Sequence, residues 1–397
     1  MFKYFKDRPP LFFIYLTIFI NIVGFGMVFP LLPFYAKHFN ASEATIGFLA
    51  ASFAIGQFLL SPIWGRLSDR FGRKPIILIS LAGLAVTFLI FGFAQNLLWL
   101  FISRFLQGAF SGAALSVAQA YVADVTSKEE RIKGMGNLGA SLALGFIFGP
   151  AIGGFLSNVN ISFPFFAASL VAIINLISVQ LFLPESLTKK AERFVIAEGF
   201  LNFRQMYQGL KGELSSLFIL IFLWSFALSN NEVAVPLFGY EQLGLNATTI
   251  SIFFSGMGLM SAFVQSTLVY RLTGIIGEHK TVILGIAIMA VTLLLMPFSK
   301  ASFMMAFFMI GFAFGSALSR PTIGSLISKE TKEGQGTTMG ISSAFESMGR
   351  ILGPLLGGWT FATFGYHSPF TFSALILFVT LIFVIRQKHF LKPEVSS

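Results

Sequence analysis

Five charged residues lie within long apolar stretches of this sequence: Arg104, Glu232, Arg320, Glu346 and Arg350. A charge at the centre of a bilayer costs about 2.5–3.5 kcal/mol even on insertion-based scales, so charges in such places usually serve a function. Glu346 and Arg350 are separated by one helical turn and share a helix face, so they can neutralise each other. An apolar setting therefore makes these five residues the first candidates for chemistry.

Glu232 stands apart from the other four residues. It lies in the segment SNNEVAV and has no charged residue within one helical turn. A carboxyl group held away from water retains its proton more readily than an exposed one. Such a group can take up a proton on one side of a barrier and release it on the other. The alternative is that Glu232 lies near the outer surface and is merely hydrated.

The composition indicates which elements must position these residues. Of 397 residues, 55% are hydrophobic and 11% are charged, with a mean hydropathy of +0.80, whereas soluble domains contain about 25% charged residues. So few polar side chains cannot cover a water-soluble globule, and the sequence predicts an integral membrane protein. The absence of cysteine excludes disulfides and Cys-based metal sites, and the four histidines share no metal-ligand spacing. We expect no cofactor.

Apolar runs of about 20 residues, long enough to cross a bilayer, recur along the whole chain. In lipid each span must satisfy its own backbone hydrogen bonds, which favours helices, and the short alternating segments of a membrane barrel are not seen. The sequence predicts an all-α membrane protein with twelve spans near residues 11–36, 45–64, 75–94, 97–123, 134–157, 161–183, 213–238, 248–270, 280–298, 301–327, 336–363 and 367–386.

Lysine and arginine cluster on one side of the predicted spans, and outside the spans only Lys37 and Lys300 fall on the other side. The positive-inside rule then predicts that both termini are cytoplasmic in a multi-pass protein of the cell membrane. This topology accounts for the net charge of +10, so we expect no nucleic-acid partner. An amphipathic stripe predicts a surface helix on anionic lipid; its residues are Phe200, Phe203, Tyr207 and Leu210.

The two halves of the sequence are copies of each other. GFIFGPAIGG at 145–154 and GRILGPLLGG at 349–358 match in all four glycines and the proline of the first segment at an offset of 204 positions: Gly145, Gly149, Pro150, Gly153 and Gly154. Two six-span halves with the same orientation predict two pseudo-symmetric six-helix bundles with a cavity between them. The predicted domains are 1–188 and 213–397, joined by a cytoplasmic linker at 189–212 that contains the amphipathic stripe.

These motifs resemble those of the major facilitator superfamily, and within it the twelve-span drug:proton antiporters. The resemblance is greatest to multidrug exporters of Gram-positive bacteria and to tetracycline pumps, and it covers essentially the whole chain. It implies a secondary transporter, not an enzyme, that exports lipophilic or cationic small molecules in exchange for protons by alternating access. It rests on GFGMVFPLLP (24–33), GRLSDRFGRK (65–74), RFLQG (104–108), GFIFGPAIGG (145–154) and SRP (319–321).

The glycine-rich segment 145–154 places small residues on one helix face, which allows another helix to approach closely. Pro150 removes a backbone donor and is expected to bend the span. The resemblance implies that this bend seals one side of the membrane against leakage.

In the segment 65–74, Gly65 and Gly72 permit a tight turn, which by itself predicts a solvated loop that sets the topology. The resemblance implies that charged residues form a latch, a network that holds the protein in one conformation. Three of them belong to this segment, Asp69, Arg70 and Arg73, and the fourth, Asp124, lies farther along the chain. The second copy of the segment, YRLTGIIGEHK at 270–280, has lost the aspartate. Any latch is therefore expected to be asymmetric.

Close relatives within the resembled family also carry a glutamate at the position of Glu232. We expect Glu232 to be the main proton-coupling site, and Glu346 to be a second one. Tetracycline pumps have an aspartate where this chain has Asn21, and close multidrug exporters have one where it has Ala317. These two departures leave the number of coupled protons open.

Aromatic and polar residues near the midplane of the predicted cavity are expected to contact the substrate, because ring faces attract lipophilic cations. The arginines within the spans are included because the family has an arginine near the transport path, although Arg104 could instead hold helices together. The expected substrate contacts are Phe25, Phe53, Gln57, Arg104, Phe110, Phe146, Arg320 and Arg350.

Two alternative functions remain. An exporter of sugars or other polar metabolites would share the fold but would need more Asn, Gln and acidic groups than these spans contain. A membrane-embedded enzyme or scaffold would need a catalytic constellation, and no His/Asp/Ser grouping lies within the spans. Nothing in the sequence indicates an obligatory oligomer, so a monomer is expected.

Overall fold

The computed structural model describes residues 9–187, 207, 209–212, 214–331 and 335–386. Twelve long helices form nearly all of this described part, in which no strand occurs. They are α1 Pro9–His38, α2 Glu43–Phe71, α3 Arg73–Gly92, α4 Leu97–Val125, α5 Lys128–Ser157, α6 Phe163–Phe182, α7 Ser215–Leu243, α8 Ala247–Ile276, α9 Glu278–Leu295, α10 Ser302–Glu330, α11 Gln335–Phe364 and α12 Ser368–Arg386.

The predicted helical membrane fold is confirmed. Helices α1 to α10 are each long and apolar enough to cross a bilayer, and α12 contributes a shorter apolar stretch, Ser368–Ile382. The chain is therefore a multi-pass membrane protein. Most predicted boundaries lie within a few residues of the observed ones, and the largest difference is the far end of α2, which extends to Phe71 where the sequence predicted 64.

A single glycine with positive φ is the whole linker between two pairs of consecutive helices. Gly72 has φ 114° and ψ 158° between α2 and α3, and Gly277 has φ 84° and ψ 160° between α8 and α9. Only glycine adopts this region without strain. The expectation that Gly65 takes part in the same turn is wrong, because Gly65 lies inside α2. The continuous helix leaves a single residue, Gly72, to reverse the chain.

The helices group into two compact units. One comprises Met1–Asn40 and Ser52–Leu201, and the other comprises Ala41–Ala51 and Asn202–Ser397; we call them the first and second bundle. The beginning of α2 thus groups with the second bundle, although the rest of that helix belongs to the first. Most of the predicted linker, including Phe200 and Phe203, lies outside the described residues, while Tyr207 and Leu210 are described and exposed.

The same helix pairing occurs in both bundles, where a glycine-rich helix packs on the backbone of another helix. In the first bundle a Cβ added to Gly149 of α5 would lie 2.7 Å from the Val23 carbonyl oxygen of α1. In the second, a Cβ added to Gly353 of α11 would lie 2.5 Å from the Phe226 carbonyl oxygen of α7. Gly145, Gly153 and Gly349 meet the same partner helices in the same way. The small residues therefore set the spacing of α1 with α5 and of α7 with α11.

Candidate functional site

An arginine enclosed by aromatic rings lies inside the first bundle. Arg104 of α4 is 2% exposed, and its Cζ lies 4.7 Å from the ring centroid of Phe53 and 5.9 Å from that of Phe25. Its Nη1 donates a hydrogen bond of 2.6 Å to Oε1 of Gln107, one turn farther along α4. A guanidinium over aromatic faces gains about 2 kcal/mol when it is desolvated. This enclosure allows a full charge to remain inside an apolar bundle.

The rings come from three helices and contact one another. Phe25 of α1 lies 4.9 Å from Phe53 of α2 and 5.9 Å from Phe146 of α5, measured between ring centroids. Phe25 and Phe53 are buried, whereas Phe146 is 39% exposed. The structure thus brings together Phe25, Phe53, Phe146 and Arg104, four of the residues predicted to contact substrate. Gln57 is half-buried one turn beyond Phe53 on α2.

Phe110 belongs to a different part of the first bundle. Its ring packs against Gly83 of α3, and its centroid lies 5.9 Å from that of Trp64. Its backbone carbonyl accepts a hydrogen bond from the Ser80 hydroxyl. The structure therefore places Phe110 in the α3–α4 packing and not in the aromatic enclosure of Arg104.

A second arginine site lies inside the second bundle, and here the charge is paired. Nη2 and Nε of Arg320 on α10 lie 2.7 and 3.2 Å from the two carboxylate oxygens of Glu346 on α11. The arginine Cζ lies 5.9 Å from the ring centroid of Trp224 on α7. The side chains of Arg320 and Glu346 are 37% and 23% exposed. A bidentate pair of this kind fixes both geometry and charge balance.

This pairing adds three residues to the site. The sequence predicted that Arg350, one turn along α11, can neutralise Glu346, and the structure shows a partner that the sequence did not indicate, Arg320 of α10. Trp224 also donates from Nε1 to the Ser316 carbonyl of α10, and the Ser225 hydroxyl donates to the Glu346 carbonyl. Sequence analysis missed Trp224 and Ser225. A tryptophan inside a span that also contains a carboxyl was the available signal.

Glu232 is half-buried on α7, between the buried residues Asn231 and Val233. Ser225 on the same helix touches Glu346, and Glu232 follows it by two helical turns. At 1.5 Å per residue, Glu232 thus lies about 10 Å along the axis of α7 from the level at which the backbone of Glu346 meets this helix. The second bundle therefore holds two intramembrane carboxylates at different depths.

Buried amides take the place of titratable groups elsewhere in the spans. Asn21 of α1 accepts a hydrogen bond of 2.9 Å from the Ser111 hydroxyl of α4. Asn230 of α7 donates to the Pro369 carbonyl and to Ser373 of α12. Both asparagines join helices of one bundle by neutral hydrogen bonds. Asn21 therefore contributes packing at a position where a titratable group could have stood.

The charged residues around Gly72 form a network at what we call the basic end of the first bundle. Arg73, with its side chain 9% exposed, contacts Oδ1 of Asp69 at 2.6 Å and Oδ2 of Asp124 at 3.0 Å. Its Nη1 also donates to the Ser68 hydroxyl. The structure thus brings together Asp69, Arg73 and Asp124, whereas Arg70 is exposed and lies over the Phe71 ring.

Metal binding has no structural support in the described part of the chain. No group of three or more His, Asp or Glu side chains that could hold a metal ion occurs among those residues. The polar groups that remain can hold a proton, pair with a charged solute or attract a cation with an aromatic face.

Comparison with known proteins places these sites in a family context. The family model described as Major Facilitator Superfamily matches residues 14–266 and 217–396. Multidrug resistance protein 2 of Bacillus subtilis is 31% identical over 387 residues, which cover 96% of this chain and 95% of that protein. Quinolone resistance protein NorA of Staphylococcus aureus is 28% identical over 383 residues, which cover 96% of each protein.

A solved structure shares the fold without close sequence similarity. A transporter of the POT family, crystallised with a thioalcohol-conjugated peptide, superposes with a TM-score of 0.82 at 15% identity, over 96% of each chain. At that identity the likeness concerns only the arrangement of the helices.

Proposed function

We propose that this chain, which belongs to the major facilitator superfamily, exports lipophilic or cationic small molecules in exchange for protons. Membership of this family makes it a transporter and not an enzyme. The export of drugs is supported by the names of full-length relatives, a multidrug resistance protein and a quinolone resistance protein. The proposed mechanism is alternating access, in which one substrate site opens in turn to each side of the membrane.

The observation that carries the coupling proposal is the pair of carboxylates at two depths of the second bundle. Glu346 is held by the guanidinium of Arg320 through two hydrogen bonds, whereas Glu232 is half-buried farther along an apolar helix. We therefore assign Glu232 as the main proton carrier. Glu346 is proposed as a second coupling site, which takes part only when Arg320 moves away from it.

A single working carboxyl is sufficient for export. One elementary charge moving through 100 mV supplies about 2.3 kcal/mol. Since every 1.4 kcal/mol corresponds to a factor of ten, one proton can sustain about a fifty-fold gradient of a neutral solute. The neutral Asn21 and Ala317, at positions where relatives carry acids, are consistent with such a low proton count.

The substrate is proposed to meet aromatic surface in the first bundle. The ring face of Phe53 is covered by Arg104, so the more exposed ring of Phe146 offers the available aromatic face. The ring of Phe25 packs against that of Phe146 in a T-shaped contact, with an interplanar angle of 81°. A lipophilic cation would be attracted to this face.

The surroundings of the protein follow from its charge distribution. Lysine and arginine cluster at one side of the spans, and we propose that this side and both termini are cytoplasmic. Basic groups at that level would contact anionic lipid headgroups. We further propose that the protein acts as a monomer in the cell membrane.

Inside-out vesicles loaded with an acidic interior test the coupling. Wild-type protein is expected to accumulate ethidium when the pH difference is imposed. Glu232→Gln should lose the gradient and should retain downhill exchange of ethidium. For one proton exchanged per ethidium cation no net charge moves, so the wild-type gradient is at most about tenfold per unit of pH difference. Glu346→Gln should lower accumulation less, because this variant removes the partner of Arg320 but leaves the proposed proton carrier, Glu232, in place. Glu241→Gln is the matched control, since Glu241 is exposed at the end of the same helix.

Two results would contradict the proposal. Full pH-driven accumulation by Glu232→Gln would remove Glu232 from the coupling step. Wild-type accumulation that does not respond to the pH difference would remove proton exchange altogether, while leaving the fold and the family assignment intact.

A further inference from the structure

Two consecutive asparagines on α7 are both buried but differ in their partners. Asn230 is 2% exposed and Asn231 is 1% exposed. Nδ2 of Asn230 donates hydrogen bonds to the Pro369 carbonyl and the Ser373 hydroxyl of α12, and its Oδ1 is packed against Gly357 of α11. Neither Nδ2 nor Oδ1 of Asn231 has a hydrogen-bond partner among the residues that the structure describes. The first amide therefore joins helices, and the second has another role.

An amide without partners is costly inside an apolar bundle. Burial removes the hydrogen bonds that the group makes with water, and nothing replaces them unless a new partner is found. Buried polar side chains are therefore almost always bonded to protein or to ordered water. Since the described part of the chain offers Asn231 no protein partner, ordered water is the ligand that suits both ends of its amide.

The surroundings of Asn231 leave room for a water molecule. Residues three and four apart are neighbours on a helix, so the amide lies between Ala227 and Ala234, which are both fully buried. Trp224, two turns before Asn231, lies on nearly the same face of α7 and donates to the Ser316 carbonyl of α10. Asn231 is thus directed into the second bundle, with only methyl groups beside it on its own helix.

Glu232 supplies a further polar partner for such a water. A buried water makes about three hydrogen bonds, and the Asn231 amide offers two of them, one from its N–H and one to its oxygen. Glu232 is the next residue, and its half-buried side chain projects about 100° farther around the helix. One water with hydrogen bonds of about 2.8 Å can bridge two polar groups about 5 Å apart. It can therefore reach from the amide to the carboxyl group.

We infer that Asn231 is a positioning residue that holds an ordered water against the carboxyl group of Glu232. When Glu232 ionises, its proton moves to the oxygen of this water, which releases another proton to solvent on the more exposed side of Glu232. Proton uptake follows the reverse order, and the asparagine neither gains nor loses a proton. The inference rests on the proposed coupling role of Glu232 and adds the group that delivers its proton.

The two asparagines provide a matched pair of variants. Asn231→Leu should lower the initial rate of pH-driven ethidium uptake about tenfold, because the water is lost, and should keep downhill exchange and the midpoint of thermal unfolding. Asn230→Ala should lower that midpoint, because the bonds to α12 are lost, but should keep the wild-type ratio of pH-driven uptake to downhill exchange. Asn231→Ser, which retains a polar group and space for water, should restore most of the pH-driven uptake. Asn231→Val, which is smaller, gives the same test where leucine prevents folding.

A second measurement does not depend on transport. Infrared difference spectra of the purified protein between alkaline and acidic buffer show the C=O stretching band of a protonated carboxyl group. The band of Glu232 is the one that disappears in Glu232→Gln. A carboxyl group bonded to water vibrates at a lower frequency than one without that bond. The band should therefore move to higher frequency in Asn231→Leu and stay in place in Asn230→Ala.

Four results would overturn the inference. They are full pH-driven uptake by Asn231→Leu, an equal loss in Asn231→Leu and Asn231→Ser, a Glu232 band that does not move in Asn231→Leu, and the lack of any band that depends on Glu232. A different result separates the inference from the proposed function. If Glu232→Gln keeps full pH-driven uptake while the band still moves in Asn231→Leu, the coupling role of Glu232 fails and the water contact stands.

Discussion

The first and second bundles solve the same packing problem in the same way but hold their intramembrane charges differently. In both, a glycine-rich helix lies on the backbone of the first helix of its bundle, α5 on α1 and α11 on α7. Arg104 in the first bundle is enclosed by aromatic rings and Gln107. Arg320 in the second is paired with Glu346 and is more exposed.

This difference shows which properties a duplicated chain retains. Glycines that set backbone spacing cannot change without separating two helices, so both copies keep them. Side chains that face the interior can change as long as each buried charge keeps a partner. The proposed coupling chemistry lies in the second bundle because both Glu232 and Glu346 lie there, while the first bundle offers rings and neutral amides.

The largest expected effect concerns the shared packing. Gly149→Leu and Gly353→Leu should each prevent α5 or α11 from reaching its partner helix, because even the first carbon of a side chain would meet a backbone carbonyl. Overpacking of this kind costs about 3 kcal/mol or more. Yield of folded protein and the midpoint of thermal unfolding in detergent measure the effect, which should be similar in the two bundles.

Gly139→Leu and Gly340→Leu are the matched controls on the same two helices. A Cβ added at either position would meet nothing within 4 Å, so the unfolding midpoint should stay near that of wild type. If only one of Gly149→Leu and Gly353→Leu lowers the unfolding midpoint strongly, the packing of α5 on α1 is not equivalent to that of α11 on α7. The comparison of the two bundles would then fail at the feature that they share.

Most of the helices could be predicted from sequence because each contains an apolar run that is long enough to cross a bilayer. The far end of α2 could not, because GRLSDRF is polar and looks like a loop, while helical hydrogen bonds continue through it to Phe71. Only the conformation of Gly72 shows where the chain turns. The pairing of α1 with α5 follows from backbone contacts that a sequence motif does not identify.

The candidate site could be predicted only in part. The charged residues within spans were visible because charges are rare there, but their partners depend on how helices face one another. Glu346 pairs across to α10 because Arg320 projects from the neighbouring helix, and proximity along the chain does not reveal such a partner. Phe110 was predicted to lie with Phe53 because both are near the midplane of a predicted span. In the structure Phe110 lies on the face of α4 that packs against Gly83 of α3.

A smaller effect is expected at the two equivalent turns. Gly72→Ala and Gly277→Ala should each lower the free energy of unfolding by about 2 kcal/mol, because their backbone conformations are nearly restricted to glycine. Gly65→Ala, inside α2 with open space around it, should instead raise it by a few tenths up to about 1 kcal/mol. Chemical unfolding in detergent compares all three. An equal loss at Gly65 would mean that the turn begins there after all.

The smallest expected effect tests the difference between the two arginines. The single variants Arg320→Met and Glu346→Gln and the double variant form a double-mutant cycle on the free energy of unfolding. Its coupling free energy should be only about 1 kcal/mol, because the pair is partly exposed. The matching cycle of Arg104→Met with Gln107→Leu should give about the same at low salt, because a charge contacts a buried amide. Raising the salt should weaken only the first coupling, since Gln107 carries no charge. If both couplings fall together, the Arg104–Gln107 contact is as accessible to ions as the Arg320–Glu346 pair, and the two bundles differ less in burial than the structure shows.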